Sequence, residues 1–347
     1  MELELALSYA DVLLKPRFST VRSRSDVSIE VELSKGIKVK TPFIPANMKT
    51  IVNEKVIDKM CQNSSMTLMH RFDDTNEQLR IAGWIVDHGY ENLAGMSVGI
   101  KDSDKQMLIN FIQIGIKIIC IDVAHADSED THNFVKWIAD KYPSIFLIVG
   151  NVSTGEAAGA LWQLGADAVK IGQGSGSICL TRIETGNGMP QFSALMEVVS
   201  ERKKLQNCSS LKNKKMFIIA DGGLTNAGSV VKALAVGADL VMAGNSFAGA
   251  DESPGDVIEL DGIKYKHYDG SSTYREKNIE GVRALTDYKG SLQSILDKFC
   301  DGLRSGLSYQ GVFDLHELKN VAKFVRITPA AAKESDHHDV RVIKGNL

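Results

Sequence analysis

Eight short apolar runs punctuate the chain, at residues 42–47, 66–70, 93–99, 117–122, 145–151, 166–172, 216–221 and 238–244. Most are near-continuous Val, Ile, Leu and Met with no polar alternation, the pattern of strands buried on both faces of a parallel sheet. The stretches between them carry helical periodicity. Residues 75–88 place Leu79, Ala82, Ile85 and Val86 on one face and stop at Gly89. Residues 128–141 open on Ser-Glu-Asp and group Phe134, Trp137 and Ile138, and residues 154–163 and 226–235 each run into Gly-Ala-Asp. A capping residue, an apolar stripe and a terminal glycine are helix start and stop signals. Strand followed by helix, eight times, predicts an α/β protein of the (β/α)8 TIM-barrel type. An open doubly wound sheet is the alternative. The regular repeat, and the lack of a glycine fingerprint after the first strand, favour the barrel. A single barrel domain is expected over residues 1–330, with a polar C-terminal tail over 331–347.

Composition narrows the class of function. Lys and Arg number 40 against 43 Asp and Glu, so the formal charge is −3 and no basic excess suggests a nucleic-acid partner. At 44% hydrophobic and 24% charged residues the chain has the balance of a globular protein. No apolar run approaches the ~20 residues of a membrane span. The opening Met-Glu-Leu-Glu lacks a basic signal region, so a cytoplasmic location is expected. The five cysteines, Cys61, Cys120, Cys179, Cys208 and Cys300, are odd in number and widely spaced, suggesting neither a disulfide framework nor a zinc site.

Barrels place their chemistry where strands end. Here those ends carry Asn47-Met48, His70-Arg71, Asp122, Gly150-Asn151, Gly172, Asp221-Gly222-Gly223 and Gly244-Asn245. The sixth is followed by Gly172-Gln173-Gly174-Ser175-Gly176-Ser177-Ile178-Cys179-Leu180-Thr181-Arg182. Alternating glycines let backbone groups face a phosphate or a monovalent cation, or simply make a tight turn. Cys179 is either a small buried hydrophobe or a thiolate nucleophile stabilised by that turn. Asp221 is either a turn residue or an acceptor for sugar hydroxyls, and the loops after strands seven and eight are the usual barrel phosphate site. Tyr268-Asp269-Gly270-Ser271-Ser272 and Glu280-Gly281-Val282 carry little signal alone. His70-Arg71 either contacts an anion or pairs with Asp73 and Asp74. Glu201-Arg202-Lys203-Lys204 reads as an exposed helix end, and His337-His338 as part of a solvated tail.

Together these pieces resemble the IMP dehydrogenase/GMP reductase family over nearly the whole chain. The matching residues are Tyr9-Ala10-Asp11-Val12-Leu13-Leu14, Ser23-Arg24-Ser25-Asp26, Pro45-Ala46-Asn47-Met48, Ile121-Asp122, Gly150-Asn151-Val152, the 174–179 loop, Asp221-Gly222-Gly223 and Glu280-Gly281-Val282. Dehydrogenases of the family usually insert CBS modules after strand two, and the interval between His70 and Leu93 leaves no room for them. The dehydrogenase flap with its Arg-Tyr pair is not matched either, since Tyr274-Arg275 stands in reversed order. Thr181-Arg182-Ile183-Glu184-Thr185-Gly186-Asn187-Gly188-Met189-Pro190-Gln191 is similar to the reductase pattern. The reductase branch is therefore expected.

That resemblance implies a reaction. Cys179 would attack C2 of GMP, ammonia would leave to give a covalent thioimidate, and hydride from NADPH would yield IMP. Thr181 and Glu280 would handle the proton of the departing ammonia. The phosphate would sit on Ser177, Gly223, Gly244 and Tyr268, Asp221 would hold the ribose, and Gly222, Asn245, Gly270 and Met48 would complete the substrate site. Asp122, Asn151, Arg71, Arg275 and Lys277 would hold NADPH, and the carbonyls of Gly174, Gly176 and Cys179 a monovalent cation such as K+. The resemblance also implies a homotetramer. Lys49, Asn245 and Ser271 depart from residues common in the family, which bears on contacts to the base. The alternatives are a CBS-less IMP dehydrogenase oxidising IMP to XMP with NAD, a non-catalytic purine-nucleotide sensor and a flavin-dependent barrel reductase.

Overall fold

The computed structural model describes residues 3–207, 211–270, 283–335 and 340. Eight parallel strands form one sheet: β1 (Phe43–Pro45), β2 (Thr67–Met69), β3 (Ala94–Val98), β4 (Ile118–Asp122), β5 (Phe146–Val152), β6 (Ala168–Ile171), β7 (Phe217–Asp221) and β8 (Leu240–Ala243). Each strand from β2 to β8 pairs with the next, and β8 returns to β1 with Val241 opposite Phe43. The last seam, between β1 and β2, is held by a parallel bridge from Thr41 to Ser65, whose hydroxyls lie 2.6 Å apart. All eight expected strands are present, one or two residues shorter at most ends. They are buried because side chains fill the barrel on one face while helices cover the other.

The covering helices are α1 (Glu54–Gln62), α2 (Thr75–Asp87), α3 (Asp102–Ile114), α4 (Glu129–Lys141), α5 (Gly155–Leu164), α6 (Gln191–Gln206), α7 (Ala227–Val236) and α8 (Leu292–Gln310). Asn53, Asp74, Ser128, Thr154, Asn226 and Ser291 cap α1, α2, α4, α5, α7 and α8, each side chain accepting an N–H from the first turn. The charged end of α6 is less exposed than its sequence suggests. Arg202 turns inward and donates to Asp239 at 2.7 Å, and Lys319 reaches the same carboxylate.

Several elements outside the repeat shape the two ends of the barrel. A hairpin of Val31–Glu32 and Lys38–Val39 buries Leu33, Ile37 and Val39 against the core. Lys35 ties it to Asp167 at 2.6 Å, just ahead of β6, so it seals the mouth where the strands begin. Val12–Leu14 pairs antiparallel with Phe324–Arg326. A three-stranded antiparallel sheet, Val257–Leu260, Ile263–Asp269 and Arg283–Asp287, is inserted between β8 and α8. Lys266, buried on its middle strand, anchors this sheet by donating to the carbonyls of Ala250 and Ser253 at 2.7 and 2.6 Å. The expected tail boundary at residue 330 falls inside a short helix, Pro329–Lys333. Most of the tail, His337-His338 included, lies outside the described residues.

Candidate active site

The strand ends converge on one cleft of ≈ 290 Å³ at the C-terminal face of the barrel. The sequence placed nineteen positions here, and the sixteen that lie within the described residues all line this cleft. They are Met48, Arg71, Asp122, Asn151, Gly174, Gly176, Ser177, Cys179, Thr181, Asp221, Gly222, Gly223, Gly244, Asn245, Tyr268 and Gly270. Glu280, Arg275, Lys277 and Ser271 lie outside the described residues.

Cys179 ends the glycine-rich loop that follows β6. Its thiol is partly exposed and lies 3.1 Å from the Thr181 hydroxyl. Thr181 opens a short helix, Thr181–Thr185, and the Cys179 N–H donates to the Gly176 carbonyl at 3.2 Å, which folds the turn back on itself. Three side chains brace the loop. Ser175 Oγ lies 3.0 Å from Gln191 Oε1 and 3.2 Å from the Asp221 carbonyl. The Gln191 amide donates to the Ile171 carbonyl at 2.6 Å, and Arg182 donates to the Met189 carbonyl at 3.0 Å. Glycine is required where the loop leaves β6, because a Cβ on Gly172 would run into the Asp221 carbonyl.

The opposite wall comes from the loops after β7 and β8. Gly222 and Gly223 both have positive φ, 96° and 71°, which favours glycine. A Cβ on Gly223 would lie 3.3 Å from the Tyr9 ring. At Gly244 a Cβ would meet the Tyr268 hydroxyl. The inserted sheet thus delivers Tyr268, which is 5% exposed, to the backbone turn after β8. Burial pushes the Tyr268 phenol up, and the nearby Asp221 charge adds to this. Asn245 is held by Thr286 and Lys289, which both donate to its side-chain oxygen.

The floor is ionic. Lys170 Nζ lies 2.8 Å from Asp122 Oδ1 and 3.7 Å from Asp221 Oδ2. Burial opposes ionisation of Asp122, but Lys170, Arg71 and the Asn47 amide outweigh it and hold the carboxyl below the usual range. For Asp221 burial wins and its carboxyl is raised, although Lys170 and Asn151 oppose the shift. Asn151 gives its amide protons to the Gly172 carbonyl and to Asp221 Oδ2, both at 2.8 Å. Arg71 donates to the Asp122 carbonyl at 3.1 Å and lies over the Phe72 ring, 4.8 Å from its centroid. Beside it His70 pairs with Asp73, its Nε2 3.6 Å from Oδ2, and Lys49 reaches the same carboxylate at 3.0 Å.

Lys170 is the most consequential residue that the sequence reading missed. It hides in the apolar run 166–172, read there as plain strand. A charged residue in a strand buried on both faces was the available signal, since such a charge persists only when paired. Ser97, which accepts from the Asn47 amide at 3.0 Å, was missed for the same reason.

The model for the IMP dehydrogenase/GMP reductase domain matches residues 6–338. Among curated proteins, the GMP reductase of Acidovorax ebreus (strain TPSY) is 38% identical over 322 residues, covering 90% of this chain and 94% of that protein. The GMP reductase of Staphylococcus carnosus (strain TM300) is 36% identical over 319 residues, with the same coverage. Among solved structures, a cysteine-to-alanine variant of GMP reductase from Trypanosoma brucei, in complex with guanosine 5'-monophosphate, superposes with a TM-score of 0.87. It is 25% identical, and the match covers 98% of this chain and 99% of that one. With its closed eight-stranded barrel, its Cys179 loop and its paired glycine turns after β7 and β8, the chain belongs to the IMP dehydrogenase/GMP reductase family.

Proposed function

We propose that this chain is a GMP reductase, converting GMP to IMP and ammonia at the expense of NADPH. The observation that carries this reading is the 3.1 Å approach of the Cys179 thiol to the Thr181 hydroxyl, within a cleft whose opposite wall is glycine backbone and Tyr268. A nucleotide-binding module without chemistry needs neither a thiol nor a hydroxyl beside it.

The residues divide the work. Backbone N–H groups of Gly223 and Gly244, with the hydroxyls of Ser177 and Tyr268, suit the phosphate. Asp221, oriented by Asn151, suits the ribose hydroxyls. The Cys179 sulfur adds as thiolate to C2 of guanine, the bond from C2 to the exocyclic nitrogen breaks, and ammonia departs with a proton. A thioimidate on Cys179 remains, and splitting the exchange in two lowers the barrier of each step. Thr181 passes that proton, with Glu280 as its partner in the relay. NADPH, when bound, supplies the hydride that replaces sulfur at C2. Cys179 then leaves as thiolate and IMP is released.

The half of the cleft beyond Cys179 fits a nicotinamide dinucleotide. Asp122 offers a carboxylate to sugar hydroxyls, and Arg71, backed by Phe72, offers a cation to a phosphate. Asn151 borders this half, while Arg275 and Lys277 are further cations proposed for it. The carbonyls of Gly174, Gly176 and Cys179 are proposed to face a monovalent cation such as K+; the Gly176 oxygen, which accepts one N–H, keeps a second lone pair for it.

Assembly as a homotetramer is supported by exposed aromatic residues on adjoining segments. Phe18 is 91% exposed and Tyr309 65%, and the neighbouring Arg17 N–H donates to the Tyr309 carbonyl at 3.0 Å. No helix among the described residues is long and apolar enough to cross a membrane. A cytoplasmic setting suits a thiol that must stay reduced to react.

Loss of NADPH absorbance on adding GMP, with one ammonia released per NADPH consumed, is the expected result. A flat trace, with NAD reduced and XMP formed from IMP instead, would overturn the reading in favour of the dehydrogenase reaction.

A further inference from the structure

Among the described residues, one ammonium, that of Lys170, occupies the interior of the barrel beneath the cleft. Lys170, 2% exposed, stands in β6 among Ala168, Val169 and Ile171. It donates to Asp122 Oδ1 at 2.8 Å and to Asn47 Oδ1 at 3.4 Å, and forms an ion pair with Asp221 Oδ2 at 3.7 Å. The acceptors stand at the ends of three different strands, β4, β1 and β7. The two carboxylates face different halves of the cleft. Asp221 continues into Gly222 and Gly223, whereas Asp122 lies beside Arg71.

Other groups take over only part of this lysine's role, Arg71 favouring the ionised form of Asp122 alone. Arg71 donates to the backbone carbonyl of Asp122. Asn151 gives Asp221 one neutral donor. Cys120, the remaining titratable group near Lys170, is a buried thiol pushed up to about 12 and carries no compensating charge. Packing alone would be met by an apolar side chain, as at the other positions of β6. Removing one member of a buried ionic set leaves its partners uncompensated, which costs far more than the set contributes when whole.

We propose that Lys170 is a positioning residue that holds Asp221 and Asp122 together as ligand acceptors, so that one ammonium serves the nucleotide half and the cofactor half of the cleft at once. The proposal rests on the reading of Asp221 as the acceptor for the ribose of GMP. Lys170 acts through these acids. Without it, the Asp221 and Asp122 carboxylates repel each other with no ammonium between them. Removing either acid should then relieve the other.

The test is the Kd of GMP, measured calorimetrically on the full chain without cofactor, for the wild type, Lys170→Met, Asp221→Asn and Lys170→Met/Asp122→Asn. Lys170→Met is expected to weaken GMP binding by about tenfold or more. Adding Asp122→Asn is expected to recover most of that loss, a coupling that a lysine needed only for packing would not show. Wild-type affinity in Lys170→Met would overturn the proposal. So would a double variant that binds no better than Lys170→Met. Unchanged affinity in Asp221→Asn would instead overturn the ribose assignment on which the proposal stands, a result the other variants do not produce. If Lys170→Met does not fold, Lys170→Gln with and without Asp122→Asn carries the same comparison.

Discussion

Asn151 and Asp221 are joined by a 2.8 Å hydrogen bond between a side-chain amide and a half-buried carboxylate, and the same amide holds the Gly172 carbonyl. One side chain therefore fixes both the acid proposed for the ribose and the start of the Cys179 loop. Asn151→Leu keeps the volume and removes both donors. A hydrogen bond to a charged group contributes roughly 1.5–3 kcal/mol, so KM for GMP is expected to rise by about tenfold or more. Steady-state kinetics at saturating NADPH would show it. An unchanged KM would mean that the Asp221 rotamer is set elsewhere.

Cys179→Ala is expected to abolish turnover while GMP still binds, because the sulfur forms the bond at C2 and none of the phosphate contacts. Calorimetry and the NADPH assay on one preparation would separate the two effects. Measurable steady-state activity would rule out a covalent route. Thr181→Val, which removes the hydroxyl 3.1 Å from that sulfur, is expected to lower kcat by about 10²-fold or more.

Gly172→Ala tests the close approach of the β6 and β7 loops. Its Cβ would displace the Asp221 carbonyl, and backbone cannot move aside as a flexible side chain does. A loss of about 1–3 kcal/mol in stability is expected, lowering Tm by several degrees. Turnover is expected to fall further than the lost stability explains, since the strained segment leads to Cys179.

Acid stability should report His70. Burial lowers its pKa to about 4, well below the ordinary imidazole value of about 6.5, with Asp73 opposing that shift and Lys49 adding to it. The unfolded chain takes up the proton at a higher pH than the native one. Stability is therefore present above about 6.5 and falls as the pH drops from there toward about 4, by roughly 3 kcal/mol in all. In His70→Gln the decline of Tm over that window should be shallower than in the wild type. An identical decline would assign the acid sensitivity to other groups.

The barrel was legible because its strands obey a local rule. Runs such as 117–122 and 145–151 are apolar through and through, and each is followed by a capped helix, so their order and type follow from neighbours in sequence. The cleft was legible for a related reason, since Asp122, Asp221 and Gly244 stand directly after such runs. Lys170 was not, because its partners Asp122 and Asp221 lie 48 and 51 positions away and come together only when the sheet closes. The inserted sheet was likewise hidden. Ile263–Asp269 mixes exposed and buried positions, and nothing local tells that its Tyr268 ends against Gly244. Arg202 looked like a surface cation because Asp239 reaches it from another strand–helix unit.

The antiparallel pairing of Val12–Leu14 with Phe324–Arg326 sets an order on the making of the molecule. A growing chain can pack β2 against β3 and β3 against β4 as soon as each helix between them has emerged. Val12 meets Arg326 only after nearly the whole barrel has left the ribosome. Until then the segment that carries Tyr9 toward the Gly223 turn is held on one side only, by Ser193 and Lys232. Completion of the nucleotide wall is thereby deferred to the last stage of synthesis.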